Sequence, residues 1–157
     1  MPRSSSTAEL YRNTQFGTVI TFGLIAGLAL SFFAGITEGW HPVLLAIGVI
    51  LTTLLVLFYS LTSVVTGKEL RLAFGPGVVR KSIPLSEIRS ATPDRSTLLW
   101  GWGIRFRPGH GWMWNIAGFD IVKLDLPNGR QFRVGTNDPQ GLTEAIEQAK
   151  AARRKSR

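Results

Sequence analysis

Cysteine is absent from this chain of 157 residues, and charged residues are absent from two long stretches of it. The lack of cysteine excludes disulfides, thiolate nucleophiles and cysteine-ligated zinc or iron–sulfur centres. Histidine occurs only twice, and neither copy belongs to a His-x-x-His or His-Glu pair that would ligate a metal. The chain also lacks paired carboxylates on one strand face. We therefore expect no cofactor, no metal and no enzymatic activity.

The two uncharged stretches run from Phe16 to Ile36 and from Pro42 to Val65. Each is long enough to cross the roughly 30 Å hydrocarbon layer of a bilayer as a helix. The first exceeds the apolar part of a cleavable signal peptide, and the second follows at once, which argues against a signal peptide. The sequence therefore predicts a two-helix transmembrane hairpin over residues 16–65, after a polar segment at residues 1–15.

The net charge of +8 comes mostly from residues after the second stretch, whereas the loop between the stretches carries only Glu38. Positively charged residues beside membrane spans remain on the cytoplasmic side. The sequence thus predicts a multi-pass membrane protein with both termini in the cytoplasm. Because no ionisable side chain lies inside either stretch, we do not expect a channel or proton path built from this chain alone.

Small residues recur at every fourth position of the first predicted helix: Gly23, Gly27, Ser31 and Gly35. This spacing places them on one face, where another backbone can approach closely. Two uses remain open. The face can pack against the second helix, which the short loop favours, or it can receive the transmembrane helix of a partner.

From Lys68 onward the apolar residues alternate with polar ones, which is the pattern of half-buried strands. Turns rich in glycine, proline and asparagine separate the candidate strands, which cover residues 69–74, 78–83, 98–106, 112–116, 119–124 and 131–134. The period then changes to that of a helix. Asp138 is placed to cap this helix, and its apolar stripe is Leu142, Ala145, Ile146 and Ala149. We therefore expect an all-β antiparallel barrel with a C-terminal α-helix over residues 68–150, and a basic tail at 151–157.

Several short strings, in this order, resemble the bacterial pleckstrin-homology-like (PH-like) domains: Gly101-Trp102-Gly103-Ile104-Arg105, Trp114-Asn115, Gly129-Arg130 and Val134-Gly135-Thr136-Asn137-Asp138-Pro139. The resemblance covers about residues 68–150. Domains of this family are often joined to one or two membrane helices. The resemblance implies a PH-like barrel at the bacterial inner (cytoplasmic) membrane, and a binding or assembly module without catalysis.

Four tryptophans lie close together in the sequence: Trp100, Trp102, Trp112 and Trp114. Spacing of two places the members of each pair on one strand face. They either fill the core or form an exposed patch that contacts the lipid interface or a protein partner. Arg105 and Arg107 belong to the same region and would extend such a patch.

The C-terminal end is rich in positive charge, with Lys150, Arg153, Arg154, Lys155 and Arg157 and no acidic residue among them. Near anionic lipid each charge would contribute about 1 kcal/mol to the free energy of binding the membrane surface. A solvated helix end with favourable dipole placement explains the same residues equally well. Because the basic balance already has an explanation beside a membrane, we do not expect nucleic acid as a partner.

Together these features predict a non-catalytic accessory or assembly subunit that binds and stabilises a larger membrane protein complex. The hairpin and the cytoplasmic PH-like domain would contact other integral membrane proteins. The alternative is a sensor or binder of anionic lipid headgroups that acts through the basic residues of the domain and tail. Lipid recognition would weaken steeply with salt, whereas a packed complex would survive it.

Overall fold

A computed structural model describes residues 8–97 and 101–155 of the chain. Within these ranges the chain forms nine strands and three α-helices. The elements in order are β1 (Glu9–Phe16), α1 (Thr18–Glu38), α2 (Pro42–Phe58), β2 (Ser60–Thr66), β3 (Glu69–Phe74), β4 (Val79–Pro84), β5 (Ser90–Arg95), β6 (Gly103–Arg107), β7 (Gly111–Asn115), β8 (Asp120–Asp125), β9 (Gln131–Gly135) and α3 (Pro139–Lys155).

The strands form two sheets, in the orders β1-β2-β3-β4 and β5-β8-β9-β7-β6. Neighbouring strands are antiparallel except for β7 and β9, which pair in parallel. No strand of the described ranges joins the two sheets, so the predicted closed antiparallel barrel is wrong in this respect. The chain crosses from β4 to β5 through a segment whose Leu85 and Ile88 are buried in the core, so these apolar residues fill space between the sheets and do not extend a strand.

The C-terminal helix agrees with its prediction. Asp138 accepts a hydrogen bond from the Gly141 backbone N–H at 3.0 Å, which satisfies one of the free donors at the start of α3. The predicted stripe of Leu142, Ala145, Ile146 and Ala149 is buried. The helix therefore covers one side of the core that the two sheets share.

The two N-terminal helices form an insertion between two paired strands. β1 leads into α1 and α2 leads into β2, and β1 and β2 pair antiparallel with Phe16 opposite Ser60. The β structure therefore begins at Glu9. Residues 9–16, predicted as part of a polar segment, form a strand of the first sheet, and the domain does not begin at residue 68.

The second apolar stretch is divided between a helix and a strand, so its prediction as one span over residues 42–65 is wrong. α2 ends at Phe58, and Ser60–Thr66 forms β2. β2 lies between β1 and β3 and is buried on both faces, so its sequence lacks the polar alternation of an exposed strand. Only α1, among the described helices, is long and apolar enough to cross a membrane by length and composition.

The remaining strand predictions are confirmed, with one exception. Strands β3, β4, β7, β8 and β9 lie within a residue or so of their predicted ranges. The strand predicted at residues 98–106 begins at Gly103, and residues 98–100 lie outside the described part of the chain. β5 was not predicted, because Ser90–Arg95 contains a proline and only one buried side chain.

Candidate membrane anchor and binding surfaces

The helical hairpin is almost entirely uncovered by the rest of the chain. Gly35 is the only buried residue of α1, and α2 has none. More than half of the exposed side chains are large and apolar, among them Phe22, Leu30, Phe33, Val43 and Val49. A continuous apolar surface of this size marks contact with lipid or with another protein, because water does not cover it favourably.

The base of the hairpin, which we call the neck, is fixed to the β domain at two points. Gly17 donates its N–H to the Tyr59 carbonyl at 2.9 Å, which closes the insertion where β1 and β2 end. At Gly75, in the β3–β4 turn, an added Cβ would lie 2.6 Å from the Val56 carbonyl oxygen and 2.7 Å from that of Leu57. Its φ of +48° also favours glycine. The β3–β4 turn therefore packs directly against the end of α2.

A series of aromatic rings connects the neck to the core. Phe58 of α2 lies 5.3 Å from Phe74, measured between ring centroids, and Phe74 lies 5.2 Å from Trp114. Trp114 also lies 6.0 Å from Phe132. Trp114 is only 7% exposed, so its predicted role as a surface contact is wrong: its ring fills the space between the two sheets.

The other tryptophans differ in their surroundings. Trp112 is 46% exposed, and its ring lies 5.2 Å from that of Phe106, which is 56% exposed. Trp102 is partly buried and donates its indole N–H to the Gly118 carbonyl at 3.2 Å. Trp100 lies outside the described residues. Among the described residues of this region, Phe106 and Trp112 form an exposed aromatic pair, and of its described tryptophans only Trp114 belongs to the core.

The predicted arginines do not share the face of this aromatic pair. Arg105 and Arg107 alternate along β6 with Ile104 and Phe106, so they point to the opposite side of the sheet. Arg105 donates a hydrogen bond to the Trp102 carbonyl at 3.2 Å. The aromatic and basic groups of this region thus belong to two separate surfaces.

The four small residues of α1 have different neighbours. A Cβ added to Gly27 would lie 3.2 Å from Leu51 of α2, and one added to Gly35 would lie 2.8 Å from the Trp40 ring. Ser31 donates its hydroxyl to the Gly27 carbonyl at 2.9 Å. Within the part of the chain that the structure describes, no atom lies within 4 Å of an added Cβ at Gly23. The part of the stripe near the loop is therefore used within the hairpin, and the part near the neck is open.

An apolar cleft of about 310 Å³ lies at the neck. The helices contribute Ile20, Leu24, Leu54 and Phe58 to its lining, and the β domain contributes Phe74, Gly103, Ile104 and Ile116. The cleft joins the exposed surface of the hairpin to the open side of β6. Sequence reasoning did not predict it, because its lining comes from segments far apart in the chain.

The basic C-terminal end lies far from the neck. Lys150 donates to the Arg89 carbonyl at 3.0 Å, and Arg153 and Arg154 line a surface depression with Leu85 and Ser86. The Leu85 backbone N–H donates a hydrogen bond to the Lys68 carbonyl, which lies beyond the end of β2. The length of β2 separates this end from the neck by about 20 Å. Lys155 is exposed at the end of α3, and Arg157 lies outside the described residues.

A basic groove lies on the outer face of the first sheet, and of its residues the sequence singled out only Arg80 with the adjacent Lys81, as a basic pair that could hold a headgroup or an acidic partner. We call it the outer-face groove; it has a volume of about 330 Å³ and its cationic side chains are Arg12, Arg71 and Arg80. The neighbouring Lys81 points to the other face, where its ammonium lies 5.5 Å from the centroid of the Phe132 ring. Arg71 pairs with Glu69 at 2.6 Å, and Arg12 approaches Glu9 at 3.8 Å. The alternation of Arg71 with apolar residues in β3 was visible in the sequence, but Arg12 comes from β1, which was not predicted.

Arg133 is a buried cation with a structural role. It donates one hydrogen bond to the His110 carbonyl and another to Gln131 at 3.0 Å. Burial lowers the pKa of Arg133, while the nearby Asp94 and Asp125 act in the opposite direction. These contacts fix the turn between β6 and β7 to the edge of β9.

A partly buried tyrosine, Tyr11, connects β1 to α3, and its hydroxyl predicts a pH dependence of stability. Tyr11 donates its hydroxyl to the Asp138 carboxylate at 3.0 Å, and burial together with Asp138 raises the Tyr11 pKa to about 12. Because the folded state favours the neutral phenol, its stabilising effect is complete below about pH 10, the pKa of a free tyrosine, and disappears as the pH rises through 12. In a Tyr59→Phe variant, where Tyr11 is the only tyrosine left, absorbance near 295 nm should titrate with a midpoint near pH 12. A midpoint near 10 would contradict the buried contact.

Within residues 8–97 and 101–155, no group of three His, Asp or Glu side chains is close enough to hold a metal ion. The surfaces described above are instead apolar, aromatic or cationic, which suits binding. No family model matches the chain, and no curated protein is significantly similar to it.

Proposed function

We propose that this chain is a non-catalytic accessory subunit that binds and stabilises a larger protein complex in the bacterial inner membrane. One observation carries the proposal: a hairpin with almost no buried surface projects from the end of a sheet, between two paired strands. A folded domain gains nothing by exposing such a surface to water, so the hairpin requires lipid and neighbouring helices around it.

The insertion also supports the orientation. Because β1 and β2 pair with each other, both ends of the hairpin lie on the same side of any membrane it enters. α2 has 17 residues, or about 26 Å of helix, which is at the short end of the range for a transmembrane helix. The excess of Lys and Arg beyond the neck favours a cytoplasmic position for the domain, which we propose to be PH-like.

Three exposed features favour a protein partner in addition to lipid. Gly23 leaves space on α1 that no described residue fills, and such space permits close approach of another helix. The apolar cleft at the neck continues this surface towards the domain. The Phe106–Trp112 pair provides exposed aromatic area of the kind enriched at the centres of interfaces.

The proposal is tested by the mass of the particle that contains the protein after gentle solubilisation of native membranes. We expect a large particle with other integral membrane proteins in fixed stoichiometry. It should persist in about 1 M salt, where the Debye length falls to about 3 Å, because packed apolar contacts are not screened. A monomer or a small homo-oligomer in that measurement would refute the accessory-subunit proposal.

A matched pair of variants sharpens the test. Gly23→Leu fills the open space on α1 without a clash inside the chain, and it should release the partner proteins from the particle. Ala29→Leu makes a similar addition at another exposed position of the same helix and should leave the particle unchanged. Equal particle masses for the two variants would exclude Gly23 from the contact.

A further inference from the structure

We infer that the outer-face groove binds the phosphate of an anionic lipid headgroup. This inference rests on the proposed role of the hairpin as a membrane anchor, because that role places the groove at the membrane surface. The lipid contact predicted from sequence used basic residues of both the domain and the C-terminal tail, whereas this inference confines the contact to one groove on the first sheet.

The register of the first sheet brings the groove residues together in two rows across the strands. The row nearer the neck is Thr14, Thr62, Ala73 and Arg80, and the next row is Arg12, Val64, Arg71 and Ser82. The hydroxyls of Thr14 and Thr62 lie 2.9 Å apart. Small side chains at the centre, with arginines on both sides, leave room for a tetrahedral anion.

The depth of the groove matches the headgroup layer. The backbone hydrogen bond from Gly75 to Ser60 borders the neck. Arg80 is paired with Ala73, two residues before Gly75, so it lies about 7 Å along the sheet from that hydrogen bond. The headgroup region of a bilayer adds about 5–8 Å beyond the hydrocarbon on each side. Arg12 and Arg71 lie one row further away, and their long side chains reach back towards the same layer.

The charges of the groove suit a phosphate. Among the described residues, three arginines and only one carboxylate, Glu9, line its outer face, because the Lys81 ammonium lies over the Phe132 ring on the other face. Within the described residues Arg80 has no carboxylate partner, so its guanidinium is available for two parallel hydrogen bonds to phosphate oxygens. Arg71 shares its charge with Glu69, and Arg12 is only loosely paired at 3.8 Å.

The C-terminal end is poorly placed for the same role. Its basic residues lie about 20 Å from the neck along the sheet. The Debye length at physiological ionic strength is about 8 Å, so their attraction to surface lipid is largely screened. The outer-face groove is therefore the basic surface that meets the headgroups.

Native mass spectrometry of the full chain in detergent tests the inference, by titration with phosphatidylglycerol or with phosphatidylcholine of the same acyl chains. Wild type should bind the anionic lipid more tightly. The variant Arg12→Gln, Arg71→Gln, Arg80→Gln should lose about tenfold in that affinity, since charge-assisted hydrogen bonds disappear. The matched control Arg153→Gln, Arg154→Gln, Lys155→Gln removes the same charge and should stay within about twofold of wild type. Melting temperatures of the variants confirm folding, and Arg80→Gln alone provides a milder version.

Two results would overturn the inference. The first is equal loss in the two triple variants, which would indicate a general effect of net charge. The second is displacement of the lipid by inorganic phosphate alone at millimolar concentration, which would indicate a site for free phosphate. Particle mass in native membranes, measured for the same variants, separates this inference from the proposed function: a monomeric wild type that prefers the anionic lipid refutes only the accessory-subunit proposal.

Discussion

Replacement of Gly17–Tyr59 by an Asn-Gly turn is expected to transfer the protein completely from the membrane fraction to the soluble fraction. Phe16 and Ser60 are partners in the β1–β2 ladder, so two residues suffice to join the strands, and Asn-Gly is the preferred sequence for such a turn. The replacement removes most of the large apolar residues that the described chain exposes, while Leu10, Phe106 and Trp112 are among those that remain.

The shortened protein should still fold. It loses the contact of Phe58 with Phe74 and that of Tyr59 with Phe16, which together should cost about 1–3 kcal/mol of the free energy of unfolding. The core between the sheets and α3 remains intact. Fractionation and far-UV circular dichroism would establish both points.

A suitable control inserts Asn-Gly between Gly39 and Trp40, in the loop that joins the two helices, and leaves both helices in place. This chain should remain in the membrane fraction. If the shortened protein also remained there in high salt, the β domain itself would hold the membrane through apolar contacts, and the hairpin would not be the anchor.

The elements that were predicted correctly are those in which the apolar residues recur with a clear helical or strand period. The stripe of Leu142, Ala145, Ile146 and Ala149 needs no knowledge of the rest of the fold, and neither does the alternation of β3. β2 has no such period, because its small polar residues do not alternate with the apolar ones in a central strand that is buried at nearly every position, and it follows α2 after a single residue. β1 is polar and becomes a strand only because β2 lies beside it.

The candidate sites were harder to predict from sequence than the fold was, because they depend on how the topology brings separate segments together. The spacing of Gly23, Gly27 and Gly35 predicts a face, but only the path of α2 and its loop determines which glycine stays open. Arg12, Arg71 and Arg80 are far apart in sequence and meet through the register of four strands. The basic C-terminal end has the stronger sequence signal, yet the direction of β2 places it away from the neck.

Phe74→Ala is expected to cost about 3–5 kcal/mol in the free energy of unfolding, a large part of the 5–15 kcal/mol that stabilises a typical domain. Phe74 is completely buried and contacts the rings of Phe58 and Trp114, so its removal leaves a cavity where the hairpin meets the core. Urea unfolding of the protein in detergent, followed by tryptophan fluorescence, measures this loss. Phe106→Ala removes the same side chain from a position that is 56% exposed, and it should cost about 1 kcal/mol or less.

A double-mutant cycle shows whether Phe74 transmits the position of the hairpin to the domain. Ring pairs of this kind contribute about 0.5–1.5 kcal/mol beyond the area they bury, so Phe58→Ala and Phe74→Ala should be non-additive by about that amount. Phe106→Ala paired with Phe58→Ala should be additive, because Phe106 contacts Trp112 on the open side of β6. Additivity of Phe58 and Phe74 would mean that the helices and the domain are stabilised independently, and that the neck is held by the backbone contacts of Gly17 and Gly75 alone.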